Sequence, residues 1–168
     1  MYPKRTSLSV LNAIERRVSA WKRPGPVFAR DDSAGTDNTP SEAISILIVE
    51  DDYLVAIQME TALVEAGLES AGIATTAEEA IELAASQHPA LAVIDIRLAS
   101  ARDGIDAAIV LLREHGIRSI FATAHHDVHT QSRAAPASPL GWLQKPYSME
   151  SLVRVVRKAL KGLADRTQ

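Results

Sequence analysis

The chain has 168 residues and no cysteine, which excludes disulfides, thiolate metal sites and cysteine nucleophiles together and fits a reducing cytosol. No apolar stretch approaches the roughly 20 residues needed to cross a bilayer, and the N-terminus lacks the unbroken apolar segment of a secretory signal. The expectation is a soluble, cytoplasmic protein. A Gly-rich phosphate loop of either standard spacing, a zinc-ligand spacing and a nucleophile-elbow pattern are all missing. No internal repeat is present beyond an alternation of strand-like and helix-like segments.

The net charge of -3 is unevenly spread. Residues 1–30 hold Lys4, Arg5, Arg16, Arg17, Lys22, Arg23 and Arg30 against Glu15 alone, a balance of +6, so the rest of the chain carries -9. An acidic body argues against a domain that coats nucleic acid. Within the basic arm, Leu11, Ile14, Val18 and Trp21 recur at helical spacing, predicting a short amphipathic helix over about 8–21. Such a helix is marginal alone and folds by docking, on its own chain or on a partner. From Pro24 to Pro40, PGPVFARDDSAGTDNTP reads as a flexible linker. The division expected is an extension over 1–42 and one folded domain over 43–165.

Within that domain, apolar runs and helical patterns alternate. Ile46–Val49 is the first strand, followed by a helix with Val55, Met59, Ala62, Leu63 and Ala66 on one side and Gly67 as its stop. Leu68–Ala74 is a weaker, Gly-containing strand suited to a sheet edge. Thr76 and Glu79 form a capping box for an Ala-rich helix to about Gln87. Leu91–Asp95, LAVID, has no polar alternation and so reads as a strand buried on both faces. A helix from about Gly104 turns Ile105, Ala108, Ile109 and Leu112 inward and stops at Gly116. Ser119–Thr123 is the fourth strand. Pro136 and Pro139 limit the next segment to a short helix, Gly141–Lys145 is the fifth strand, and Ser148 caps a last helix striped by Leu152, Val155, Val156, Ala159, Leu160 and Leu163. Right-handed crossovers then imply an α/β three-layer sandwich, (βα)5, around a parallel five-stranded sheet with helices on both faces.

The polar residues collect at strand ends: Glu50 and Asp51 after the first strand, Asp95 at the end of the third, Thr123 at the fourth and Lys145 at the fifth. With strand order 2-1-3-4-5, the first and third strands are neighbours where the connections diverge, and the carboxylates meet in one crevice. Like charges this close oppose joint ionisation, so a cation belongs there. Oxygen ligands without Cys or His suit Mg2+, and Lys145 brings a second positive charge. Asp52 reads as a helix cap rather than a ligand.

ILIVEDD, VIDIRL, FATA and LQKP together resemble the strand-end motifs of two-component response regulator receiver domains, over about residues 43–164. The resemblance implies a stand-alone receiver in which Asp95 accepts a phosphoryl group from a sensor histidine kinase or a phosphotransfer protein. It further implies Mg2+ held by Asp51, Asp95 and the Arg97 backbone carbonyl, with Glu50 acting mainly through a bound water. Thr123 would bond a phosphoryl oxygen, Lys145 would pair with Asp95 and then with phosphate, and the Lys145–Pro146 bond would be cis. Thr123 and Trp142, the latter where receivers carry Tyr or Phe, would form the switch. Such a protein is not an enzyme beyond its own phosphorylation and dephosphorylation. It signals to a downstream protein, with no nucleic acid or membrane contact and with a homodimer allowed.

Two features depart from the family pattern. Ala99 stands where receivers often have Pro, and SARD (residues 100–103) lengthens the loop before Gly104, so greater mobility is expected beside the site. Pro136 and Pro139 disturb the fourth helix, which belongs to the face receivers use for partners. His125, His126 and His129 read as solvated or partner-facing histidines rather than a metal site. The competing classes are a phosphorylation-independent pseudo-receiver module, against which the full acidic set and Lys145 count, and an Asp-dependent phosphohydrolase. The latter would need an acid where Arg97 stands.

Overall fold

The computed structural model describes residues 44–165, apart from His125 and His126. The expected N-terminal helix and linker and those two histidines lie outside the described residues. In chain order the elements are β1 (Ser45–Val49), α1 (Tyr53–Glu65), β2 (Glu69–Ala74), α2 (Ala77–Gln87), β3 (Leu91–Asp95), α3 (Gly104–His115), β4 (Ser119–Thr123), α4 (Val128–Ala134), a 3-10 turn (Ala135–Ala137), β5 (Gly141–Gln144) and α5 (Met149–Asp165). All strand pairs are parallel and the order is β2-β1-β3-β4-β5. This is the flavodoxin-like three-layer fold that the alternation predicts.

The unalternating apolar strands are explained by the two faces they serve. Ile46 and Ile48 of β1, Val93 of β3 and Ile120 of β4 point to a cluster closed by Met59 and Leu63 of α1 and by Leu152 and Val156 of α5. Leu47, Val49, Ile94 and Phe121 point the other way, to Ala80 and Ala84 of α2 and to Ile105 and Leu111 of α3. Small residues on α2 let that helix lie close to the sheet. At the β2 edge, pairing with β1 is irregular between Ile46 and Leu47, and Gly72 sits there at φ +123 with its amide bonded to Ser70 Oγ at 3.1 Å. That left-handed backbone region favours glycine and accounts for the weak strand pattern.

Helix boundaries follow the caps. Asp52 Oδ1 accepts from the Leu54 and Val55 amides, Asp103 Oδ1 from those of Ile105 and Asp106, and Ser148 Oγ from that of Ser151. Thr76 Oγ1 accepts from the Glu79 amide, but the return bond departs from the expected capping box: Glu79 Oε2 takes the amide and hydroxyl of Thr75, one residue earlier. Those bonds hold the Glu79 carboxyl below its ordinary range. Three expectations shift by one position. On α3 the fully buried leucine is Leu111, with Leu112 half-buried, because the helix aligns Ala107, Ala108 and Leu111 toward the sheet. β2 starts at Glu69 rather than Leu68, and β5 ends at Gln144, leaving Lys145 just past the strand. The two prolines act as expected: α4 has 7 residues and tightens into the 3-10 turn at Pro136.

Because Leu63 is 1% exposed within the first cluster, Leu63→Ala should lower the unfolding free energy by about 2–5 kcal/mol. Gln58→Ala on the solvent side of the same helix should change it by no more than about 0.5 kcal/mol. Urea denaturation of the two variants measures the contrast.

Candidate functional site

Four strand ends and their loops build one crevice. Asp95 closes β3 with its residue buried, Glu50 follows β1 and is buried too, and Asp51 is exposed at the rim. One carboxylate oxygen from each of the three lies within 4.8 Å of the others. Lys145 reaches in from the end of β5, its Nζ donating to Asp95 Oδ2 at 2.7 Å and to Glu50 Oε2 at 3.0 Å. The Arg97 amide donates to Asp95 Oδ1 at 3.1 Å, so both oxygens of that carboxylate are oriented. The Glu50 Oε1 accepts from the Asp52 amide at 3.3 Å.

The electrostatics follow from burial and pairing. Desolvation pushes the Glu50 carboxyl up; the Lys145 hydrogen bond opposes this and the Asp95 charge adds to it. For Lys145, burial works against the ammonium, but its bonds to Asp95 and Glu50 outweigh that and hold it above the ordinary lysine range. Tyr147, next to Pro146, is raised mainly by burial, and its hydroxyl lies 3.5 Å from Met59 Sδ.

Thr123 ends β4, buried, with its carbonyl accepting from the Lys145 amide at 2.8 Å. That bond sets the Lys145 backbone beside the crevice, and the Lys145–Pro146 peptide is cis. Arg97 sits in the loop directly after β3 with its residue exposed. Trp142 lies lower, on β5 opposite Phe121 in register, half-buried with ring centroids 5.2 Å apart. Strand alternation places Thr123 on the Phe121 side of the sheet, so Thr123 and Trp142 share one face. Asp52 caps α1, as its sequence position suggests, and His129 lies on exposed α4.

Three contributors were not legible as such in the sequence. A Cβ on Gly104 would stand 2.0 Å from the Asp95 carbonyl oxygen and 2.7 Å from Ile94 Cγ2, so only glycine lets α3 begin against the end of β3. Its amide also donates to the Ile96 carbonyl at 2.9 Å. The Ala99 amide donates to Asp51 Oδ2 at 3.1 Å, a bond that proline at this position could not make. Asp103 uses its second oxygen for an ion pair with Arg133, which ties α4 to the start of α3. A glycine at a helix start was the one available signal.

A doubly wound sheet with converging carboxylates and a lysine at its switch point defines a class: α/β proteins that handle a charged ligand at the carboxyl ends of the strands. The sequence matches the model of the response regulator receiver domain over residues 46–157, and the chain belongs to that family, a component of two-component systems. It is similar to the signal receiver domain of a modulated diguanylate cyclase from Desulfovibrio desulfuricans, at 33% identity, covering 73% of this chain and 97% of that one with a TM-score of 0.67. It shares its fold with a CheY-like receiver domain protein from Methanospirillum hungatei (22% identity, 74% and 98% covered, TM-score 0.68). The signal receiver domain of a putative Luxo repressor protein from Vibrio parahaemolyticus is alike in fold as well (22%, 74% and 95%, TM-score 0.66). A comparison with curated proteins found no match. Receiver domains generally bind Mg2+ in an acidic pocket, and the all-oxygen set of Glu50, Asp51 and Asp95 suits that hard cation. Among the described residues no helix is long and apolar enough to cross a membrane.

Two outcomes follow from this geometry. Gly104→Ala should lower the unfolding free energy by about 1–3 kcal/mol in urea, because the clash is with backbone that cannot rotate away. The second concerns pH. A lysine raised in the fold contributes stability that is complete below its ordinary value of 10.5 and is lost as pH rises through the higher folded value. The unfolding free energy of the wild type should therefore fall more steeply than that of Lys145→Met as pH rises from 10.5 through the folded value, and parallel slopes over that interval would contradict the pairing.

Proposed function

We propose that this receiver accepts a phosphoryl group on Asp95 from the phosphohistidine of a sensor histidine kinase or a phosphotransfer protein. The observation that carries the reading is the bridge from Lys145 to Asp95 and Glu50 inside a three-carboxylate crevice. An Asp95 carboxylate oxygen attacks phosphorus, the P–N bond to the donor histidine breaks, and an acyl phosphate forms. Lys145 and the Arg97 amide fix the plane of the carboxylate, and Thr123 binds a phosphoryl oxygen once it arrives. The work is positioning and neutralisation of oxygen charge, with the nucleophile as the one covalent participant.

Asp51, Asp95 and the Arg97 carbonyl would hold Mg2+, with Glu50 acting through a water. The ion would supply positive charge against the phosphoryl oxygens. Hydrolysis or onward transfer returns the carboxylate, so the chain acts on its own aspartyl phosphate and turns over no external substrate. Thr123 and Trp142 relay the modified state to the α4–β5 face, where a downstream protein reads it. Phosphate shifts such a surface by binding its two states unequally.

Incubation with a small acyl phosphate and Mg2+, followed by intact mass, should show one phosphoryl adduct that is absent after chelation and in Asp95→Asn. Thr123→Ala and Lys145→Met should each slow its formation by about 10²-fold. No adduct, or one that survives Asp95→Asn, would leave the phosphorylation-independent module as the better reading.

A further inference from the structure

Three of the four large apolar side chains that stand exposed among the described residues belong to α1: Tyr53 at 62%, Leu54 at 75% and Val64 at 53%. A helix lying on a sheet normally presents one apolar stripe to the core and polar residues outward. α1 already buries Ala56, Met59 and Leu63. Leu54, Ile57, Thr61 and Val64 recur at spacings of three, four and three along its outer side, a second stripe that the sheet does not use. Nor does α5 use it: that helix meets α1 on another flank, where Arg157 donates to the Ala66 carbonyl at 3.0 Å and Ala62 faces Val153 across an open groove. Scattered surface apolar residues need no explanation, but a contiguous set at the spacing of a partner helix does.

The chain itself carries a matching element. Residues 8–21 set Leu11, Ile14, Val18 and Trp21 at the same three-four-three spacing. The point of attachment also fits. Ile44 packs against the core cluster that α1 and α5 cover, and its carbonyl accepts from the Glu69 amide at 2.9 Å, so the chain enters the domain beside the C-terminal end of α1. The 22 residues between Trp21 and Ile44 span about 25 Å even as a random coil, more than the roughly 20 Å length of α1. Charge is complementary as well. Between Asp31 and Ile96 the sequence has fourteen Asp and Glu and no Lys or Arg, whereas residues 1–30 carry a balance of +6. By helical spacing, Glu60 and Glu65 flank the outer stripe of α1, and Arg17 and Lys22 flank that of the arm.

We propose that residues 8–21 dock as an amphipathic helix on the outer face of α1 in the same chain, covering Tyr53, Leu54, Ile57 and Val64 with Leu11, Ile14, Val18 and Trp21. Burial of the two stripes drives the contact, and opposite charges at their margins set which face is chosen. The docking does not depend on phosphorylation of Asp95.

Cysteine pairs test this cleanly because the full chain has no native thiol. Val18→Cys is combined in turn with Val64→Cys, with Leu54→Cys and, as the control, with Val128→Cys, an exposed site on α4. Under mild oxidation of dilute protein, at least one α1 pair should close a monomeric disulfide at least about tenfold faster than the α4 pair, and Ile14→Asp should abolish that advantage. Equal rates at α1 and α4, closure at neither α1 position, or no effect of Ile14→Asp would overturn the proposal. Disulfide-linked dimers as the only product would overturn it in favour of a second copy as the occupant.

Discussion

The contact on which this molecule turns is the forked bond from the Lys145 ammonium to Asp95 and Glu50. Two carboxylates buried at the ends of adjacent strands repel each other and lose their water, which on its own would push at least one to its neutral form. The lysine sits between them at hydrogen-bond distance from both, and its own charge is in turn favoured by the pair. Neither side of this arrangement is stable without the other. A parallel sheet that collects acids at one end therefore needs a cation delivered to the same end by a strand that is distant in sequence.

Delivery depends on backbone details. Lys145 lies one residue past β5, and its amide is held by the Thr123 carbonyl, so the buried residue that ends β4 also positions the lysine. On the other side, Gly104 allows α3 to start in contact with the Asp95 carbonyl, and Asp103 joins that start to α4 through Arg133. The loop between β3 and α3 is fastened at Asp51 by the Ala99 amide. The departure from the family's proline thus has a physical meaning: it supplies a donor to a carboxylate that the metal reading also claims.

Much of this was legible beforehand. Runs such as LAVID and SIFAT announce strands buried on both faces, Gly67 and Gly116 mark helix ends, and Asp52, Thr76 and Ser148 are caps with side-chain oxygens in the right place. Glu50, Asp51, Asp95, Thr123 and Lys145 all stand at strand ends, and the structure brings them to one crevice. What misled was one-residue phase. Leu111 and not Leu112 is the fully buried leucine of α3, because a helix's rotation on its sheet is set by tertiary packing, and the Glu79 carboxylate bonds the amide and hydroxyl of Thr75 while its own amide bonds Thr76 Oγ1.

By itself, the sequence determined the alternation of strands and helices, the residues at each carboxyl end and the uneven charge along the chain, since these depend on local pattern and composition. Only the tertiary structure decided that one ammonium is shared by two particular carboxylates, that a glycine is required against the Asp95 carbonyl, and that α1 keeps a second apolar face outward. The first two are contacts between residues set apart in the chain, and the third depends on which of the two stripes of α1 the sheet takes, a choice that local periodicity does not make. The crevice is written in strand ends, but its charge balance exists only once the strands stand side by side.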